Sequence, residues 1–351
     1  MTGPAAGSGA TGWALRIGPL SLRPHPRSTL VAAALAVALV GAAVVALTTG
    51  EYPLTGAEII DALRGSATPG VDFIVTTLRM PRLLTGALVG AALGVSGALL
   101  QSLARNPLAS PDIIGFTSGA ATGAIAAFAL GADSILRVGL GALAGGTIAA
   151  VAVYLLAYRR GGAAGRLVLV GIGVSAALTS VNAFLITRAP LHDAIAAQAW
   201  LVGGLNNRGW GHAAPVAAAL AVLLPAAIIA GRRLRPLELG DDAAGALGVR
   251  AEPSRRMLLV ISVALAAVAT ASAGPVAFVA LAAPQLARRL AGAARPALIG
   301  SALMGALLLA ASDVLAQRLF TPTPMPVGIV TAGLGGLYLT WLLAAGWRGR
   351  P

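Results

Sequence analysis

Few side chains in this 351-residue chain can do covalent chemistry. It has no cysteine, which excludes thiolate nucleophiles, thiolate metal sites and disulfides. His25, His192 and His212 stand apart from one another and from acids, in no spacing used by a metal site or catalytic triad. All 25 basic residues are arginine, and without lysine there is no standard phosphate-binding P-loop. What remains is charge and polarity set against apolar sequence. Asp313 is the one acid well inside an apolar run, a functional candidate as a proton site or as a structural hydrogen-bonding group. Arg79 and Arg82 flank Pro81 at the head of another run, where they can snorkel or pair with Asp72. Ser175, Thr179 and Asn182 recur at i, i+4 and i+7, giving one helix a polar face. Such a face either glues helices together or lines a wet path.

The elements that position these groups are membrane spans. The chain is 57% hydrophobic and 11% charged, and apolar runs recur to its end, which specifies a polytopic membrane protein. The expected fold is an all-α bundle of about ten transmembrane helices. Residues 1–27 form a basic tail expected to be disordered, and 28–347 form a single transmembrane domain. The run 29–47 is longer than a signal-peptide core and lacks a clear A-x-A site, so it is read as the first span. An amphipathic external loop covers 51–72. Further spans fall at about 82–103, 112–130, 138–158, 167–187, 213–231, 257–273, 276–290, 297–317 and 327–346. A short outer helix is expected at 194–201, and only Gly274-Pro275 separates the seventh and eighth spans. With both termini cytoplasmic, eighteen arginines lie inside and seven outside, the bias the positive-inside rule requires. That bias also accounts for the net charge of +13 without a nucleic-acid partner.

The chain is organised around residues 79–123. Pro81 suits the first turn of a helix, where its missing N–H costs nothing. Gly86, Gly90 and Gly94 fall four apart on one face, so that another backbone can approach closely. The helix must stop near Arg105-Asn106-Pro107, because the residue before proline avoids helical angles. Gly115, Gly119 and Gly123 begin the next run.

The largest internal loop, 234–256, contains L-E-L-G-D-D-A-A-G-A-L-G-V at 237–249. A short helix there would gather Leu237, Leu239, Ala243, Ala244 and Leu247 on one apolar face. Asp241 and Asp242 would lie near its favourable N-terminus and Gly248 would end it. Such a face lies on the membrane surface or docks against a separate subunit.

These motifs resemble the permease subunits of bacterial iron–siderophore and vitamin B12 ABC importers. The resemblance rests on R-M-P-R at 79–82, on the G-A-x-L-x-x-S-G-A-x-x-Q run after it, and on R-N-P-L-A-S-P-D-I-I-G-F at 105–116. The last wording looks most like the second permease of ferric-enterobactin importers. The resemblance implies that Arg79, Arg82 and, one position out of register, Arg318 face an external binding protein. It implies that Leu237, Leu239, Gly240, Asp241, Ala244, Leu247 and Gly248 engage the ATPase. It implies that Ser175, Thr179 and Asn182 line the translocation path, with Gly161, Gly162, Ala164 and Gly165 at its inner gate. It also gives Asp313 a structural role. Three family features are altered: Pro284-Gln285 replaces Pro-His, the glutamate before the last span is absent, and 335–339 read G-G-L-Y-L instead of G-A-P-x-F.

The implied function is that of a cytoplasmic (inner) membrane permease subunit importing a ferric siderophore, catecholate type favoured. It binds no metal or cofactor of its own; ATP and Mg belong to the partner ATPase. Its implied partners are a second permease, as a heterodimer, two ATP-binding subunits, an external substrate-binding lipoprotein and membrane lipid. Vitamin B12 or haem remain alternative cargoes. An ion-coupled secondary transporter is the alternative class.

Overall fold

The computed structural model describes residues 15–17, 20–22, 26–112, 115–132, 134–158, 164–292, 298–319 and 325–348. Within the N-terminal tail, β1 (Leu15–Ile17) pairs antiparallel with β2 (Leu20–Leu22), Leu15 opposite Leu22 and Ile17 opposite Leu20. Each strand alternates two apolar residues around a polar one, the pattern of a strand with one apolar face. Every later regular element among the described residues is helical. The helices are α1 (Pro26–Thr48), α2 (Gly56–Arg64), α3 (Pro69–Asp72), α4 (Met80–Ala104), α5 (Phe116–Ala129), α6 (Ile135–Tyr158), α7 (Ala164–Arg188) and α8 (Leu191–Leu201). They continue with α9 (Trp210–Gly231), α10 (Leu234–Glu238), α11 (Asp241–Ala246), α12 (Ala251–Ala273), α13 (Val279–Ala291), α14 (Leu298–Arg318) and α15 (Val327–Arg348).

Among the described residues seven helical stretches are long and apolar enough to cross a membrane: α1, the stretch Pro69–Ala104, α6, α7, α9, α12 and α14. Two of the other expected spans are short. α5 has 14 residues and α13 has 13. At 1.5 Å per residue each reaches about 20 Å, against a hydrocarbon core of about 30 Å. Chain is spent on connections instead. Residues 105–112 form a turn-rich link, with the Asn106 Oδ1 accepting from the Leu108 N–H at 2.9 Å, and Gly115 at φ +82° caps α5. Between α12 and α13, Gly274 at φ +74° and Phe278 at φ +67° steer a non-helical link.

The long second span also starts earlier than its hydropathy suggests. The helix is continuous from Pro69, through a π-helical segment Phe73–Arg79, into α4. Pro81 therefore lies far inside a helix, not in its first turn. The wider register explains how it is accommodated: the Met80 N–H donates to the Val75 carbonyl, five residues back. At the other end the helix stops where expected, with Arg105 left-handed at φ 49°.

α4 is the centre of the bundle and packs against α9, α12, α13 and α14. Its Val89, Val95 and Leu99 are fully buried. The glycine stripe is not uniform. A Cβ on Gly90 or Gly94 would overlap the backbone of α14 at Gly305 and Ser301, whereas at Gly86 it would meet only the Leu205 side chain, at 2.8 Å. Gly97, further along, packs on the Ala280 carbonyl of α13. A second seam joins α5 to α6, where Gly119 and Gly123 lie against Gly145 and Gly141. Without a hydrophobic drive between helices in lipid, these backbone approaches supply the association through dispersion contacts.

Candidate functional site

Where α4 begins and α14 ends, the three arginines are not equivalent. Arg82, the third residue of α4, makes a bidentate pair with Asp313 of α14, Nε to Oδ2 at 2.9 Å and Nη2 to Oδ1 at 2.7 Å. Gln317 donates Nε2 to the same Oδ2 at 2.8 Å. Both charged partners are largely buried, at 20% and 8% side-chain exposure. The partner of Arg82 is thus Asp313, not Asp72, and the Asp313 carboxylate is committed to a guanidinium and an amide. A geometry with both oxygens engaged suits a structural ion pair, not a proton carrier. Arg79 reaches across to the end of α1, where one Nη donates to the Leu47 carbonyl in the last turn and the other to the Tyr52 carbonyl in the loop beyond. Gly50 leaves the room that its guanidinium occupies. Arg318 is exposed and has no hydrogen-bond or ion-pair partner among the described residues. All three line a cleft of about 630 Å³ together with Thr49, Glu51 and Tyr52.

The 234–256 loop forms two short helices, α10 and α11, instead of one. Gly240, at φ +116°, breaks the chain between α10 and α11. The expected single apolar face is split by that break. Leu237 and Ala244 are buried in the same apolar cluster as Val89, Leu220 and Leu258. Leu239 and Leu247 stay 65% and 62% exposed. Asp241 opens α11 and is held in a bidentate pair by Arg255, which pulls its carboxyl below the usual range. Gly248, left-handed at φ +74°, follows the end of α11. The Arg105 guanidinium donates to the Leu237 carbonyl at 2.6 Å, joining the segment to the end of α4.

The polar face expected on α7 divides similarly. Asn182 is buried and donates Nδ2 to the Ser118 carbonyl of α5 at 3.3 Å, which makes it interhelical glue. Ser175 packs beside Gly115, and the hydroxyl of exposed Thr179 turns back to the Ser175 carbonyl at 2.8 Å. Ala164 and Gly165 belong to the first turn of α7; Gly161 and Gly162 lie outside the described residues. The larger cavity, about 720 Å³, lies elsewhere. It is bounded by the start of α5, the end of α8, the 274–278 link and α15. Ser110, Asp112, Thr117 and Ser118 supply its polar wall. Desolvation pushes the Asp112 carboxyl up, opposed by the Thr117 hydroxyl bonded to it. Hydropathy concealed Asp112, because the link that carries it was assigned partly to a span. Gln285, at the altered Pro-His position, donates to the Pro107 carbonyl at 2.8 Å and so anchors the turn after α4.

The chain is similar to transport-system permeases. It is 46% identical over 309 residues, 87% of its length and 94% of the relative's, to the ferric enterobactin transport system permease protein FepG of Escherichia coli (strain K12). It is 40% identical, over 90% of its length and 92% of the relative's, to the achromobactin transport system permease protein CbrC of Dickeya dadantii (strain 3937). Among solved structures, an inward-facing metal-chelate type ABC transporter superposes with a TM-score of 0.80 at 28% identity, covering 90% of this chain and 99% of that one. The model of the FecCD transport family matches residues 31–345, almost the whole apolar domain, and the chain belongs to that family.

Proposed function

We propose that this chain is the permease subunit of an ATP-driven importer that carries a ferric siderophore, of catecholate type, across the cytoplasmic membrane. The observation that carries the cargo is the 46% identity to a ferric enterobactin permease over nearly all of that protein. The arginine bias supports cytoplasmic termini. The chain pairs with a second permease, two ATPases that bind ATP and Mg, and an external binding lipoprotein. It catalyses no covalent step. The loaded binding protein docks on the arginine-lined mouth, and ATP closes the ATPases. Their movement, taken up by Leu239, Leu247 and their neighbours, opens the path to the other side. The exposed flank of α7, with Ile172, Gly173, Val181 and Phe184, supports a partner permease beside it.

Uptake discriminates the cargoes. Expressed with its cognate partners in cells lacking their own permease, the chain is expected to restore import of iron-labelled enterobactin and not of a hydroxamate chelate, haem or cobalamin. Uptake is expected to stop on ATP depletion and to survive loss of the proton gradient. Cobalamin or haem import without enterobactin import overturns the cargo, and the reverse energy dependence overturns the class. The Arg82–Asp313 pair argues against a proton-coupled carrier, since both oxygens of that carboxylate are engaged, by a guanidinium and an amide.

A further inference from the structure

The π-helical segment Phe73–Arg79 carries a backbone group that its own helix cannot satisfy. In the five-residue register, the partner of the Thr76 carbonyl would be the N–H of residue 81, and Pro81 has none. That carbonyl instead accepts the indole N–H of Trp210 at 2.9 Å. Trp210 is the first residue of α9. Past its other end α9 leads into α10 and α11, where Arg105 of the α4 terminus holds the Leu237 carbonyl. The stretch from the π segment through α4 and the stretch from α9 into α10 are therefore tied at both ends by side chain to carbonyl bonds. Between the ties they share one apolar cluster, running from Val89 through Val216, Leu220 and Ala227 to Leu237 and Ala244. Pro215 and Pro225 interrupt the hydrogen-bond ladder of α9, so the stiffness of the unit comes from its packing on α4.

We propose that Trp210 is a positioning residue that makes α4 and α9 one strut between the outer arginines and the α10–α11 segment. The inference rests on the docking roles given to those two ends under Proposed function. A transmitting path needs an element with discrete arrangements. The π segment is such an element, because it can return to α-helical pairing by moving its hydrogen bonds one residue. Pro81 and Trp210 hold the π arrangement from opposite sides. Arg79 ends that segment and Arg82 follows within a turn, so a change of register moves both. Trp210 is half exposed, and an interfacial anchor is the competing role for such a tryptophan.

Amide hydrogen exchange on the full chain in lipid nanodiscs separates the two. Trp210→Phe keeps an aromatic ring and removes the N–H. It is expected to speed exchange about three- to tenfold, the range one hydrogen bond of ordinary worth permits, in residues 73–82 and also in residues 234–246. Pro81→Ala in the Trp210→Phe background frees the segment to return to α pairing, in which the Met80 N–H serves Thr76, and is expected to restore residues 73–82 but not residues 234–246, because the tie to α9 is still missing. Arg105→Gln cuts the strut at its inner end, so adding Trp210→Phe to it is expected to change residues 234–246 by less than about twofold, the mark of two cuts in one series connection. An effect of Trp210→Phe confined to residues 73–82, or full additivity with Arg105→Gln, overturns the strut and leaves an anchor. Exchange is read on this chain without its partners, so the outcome is separate from the identity of cargo and subunits.

Discussion

Helices α4 and α7 are both long, apolar and glycine-bearing, yet they meet opposite surroundings. On α4 a Cβ at Gly90, Gly94 or Gly97 would overlap a neighbouring backbone. On α7 a Cβ at Gly173 would meet nothing within 4 Å, and Ile172, Val181 and Phe184 stand exposed. Composition is nearly the same, but one helix has its partners inside the chain and the other leaves a flank unfilled. The same contrast recurs on a small scale in the α10–α11 segment, where Ala244 is filled and Leu239 and Leu247 are open. A filled site reports on folding when mutated, and an open site reports on whatever comes to cover it.

The largest effect is expected where the filling is tightest. Gly90→Leu should abolish recovery of folded protein from membranes. Gly90→Ala should also be damaging, by about 1–3 kcal/mol, because its Cβ meets the rigid carbonyl of Gly305 and not a movable side chain. Gly86→Ala should be tolerated, since Leu205 can shift. Gly173→Leu should leave folding intact and reduce uptake. Equal thermal stabilities for Gly90→Ala and Gly173→Leu would erase the distinction between the two helices.

The ion pair at the mouth comes next. Arg82→Ala strands the Asp313 carboxylate and is expected to lower stability by about 3 kcal/mol, the low end for breaking a buried pair. The double change Arg82→Leu with Asp313→Leu should recover most of that loss, since apolar replacements of a buried pair are often near neutral. Denaturation in mild detergent measures both. A double variant no better than the single one would assign Arg82 a role beyond the pair.

Smaller changes in stability, with larger ones in coupling, are expected at the open leucines. Leu239→Asp with Leu247→Asp should alter stability by no more than about 0.5 kcal/mol per residue, as for ordinary surface positions. The pair should nonetheless abolish transport-linked ATP hydrolysis in the assembled complex. Ala244→Asp is a poorer probe, because that side chain is wholly buried and its loss disturbs the segment itself. Normal ATPase recruitment and uptake in the double leucine variant would remove the docking role.

Arg318→Glu is expected to have the smallest effect. An exposed charge contributes about 0–1 kcal/mol, so binding-protein affinity should weaken by no more than about fivefold, with a shallower salt dependence and unchanged folding. Arg79→Glu is not equivalent, since it also releases the Leu47 and Tyr52 carbonyls. An Arg318→Glu variant with unaltered affinity and salt slope would place docking elsewhere.

Local properties of the sequence determined the class of this protein. Apolar run length, arginine placement and the stop at Asn106-Pro107 depend on neighbouring residues and on the solvent, so most spans and the end of α4 were legible without a fold. The stripe of Gly86, Gly90 and Gly94 was visible for the same reason, as was the motif at 105–116. Their partners were not. Arg82 finds Asp313 across 231 positions, and Trp210 finds Thr76 across 134. Nothing in the spacing of residues 86, 90 and 94 told a backbone neighbour from a flexible leucine. Tertiary structure decided these points because a helix in lipid satisfies nearly all of its backbone by itself and offers apolar surface on most sides. Which faces meet is then settled by close packing and by the few polar groups that must be paired, and both are properties of two helices together.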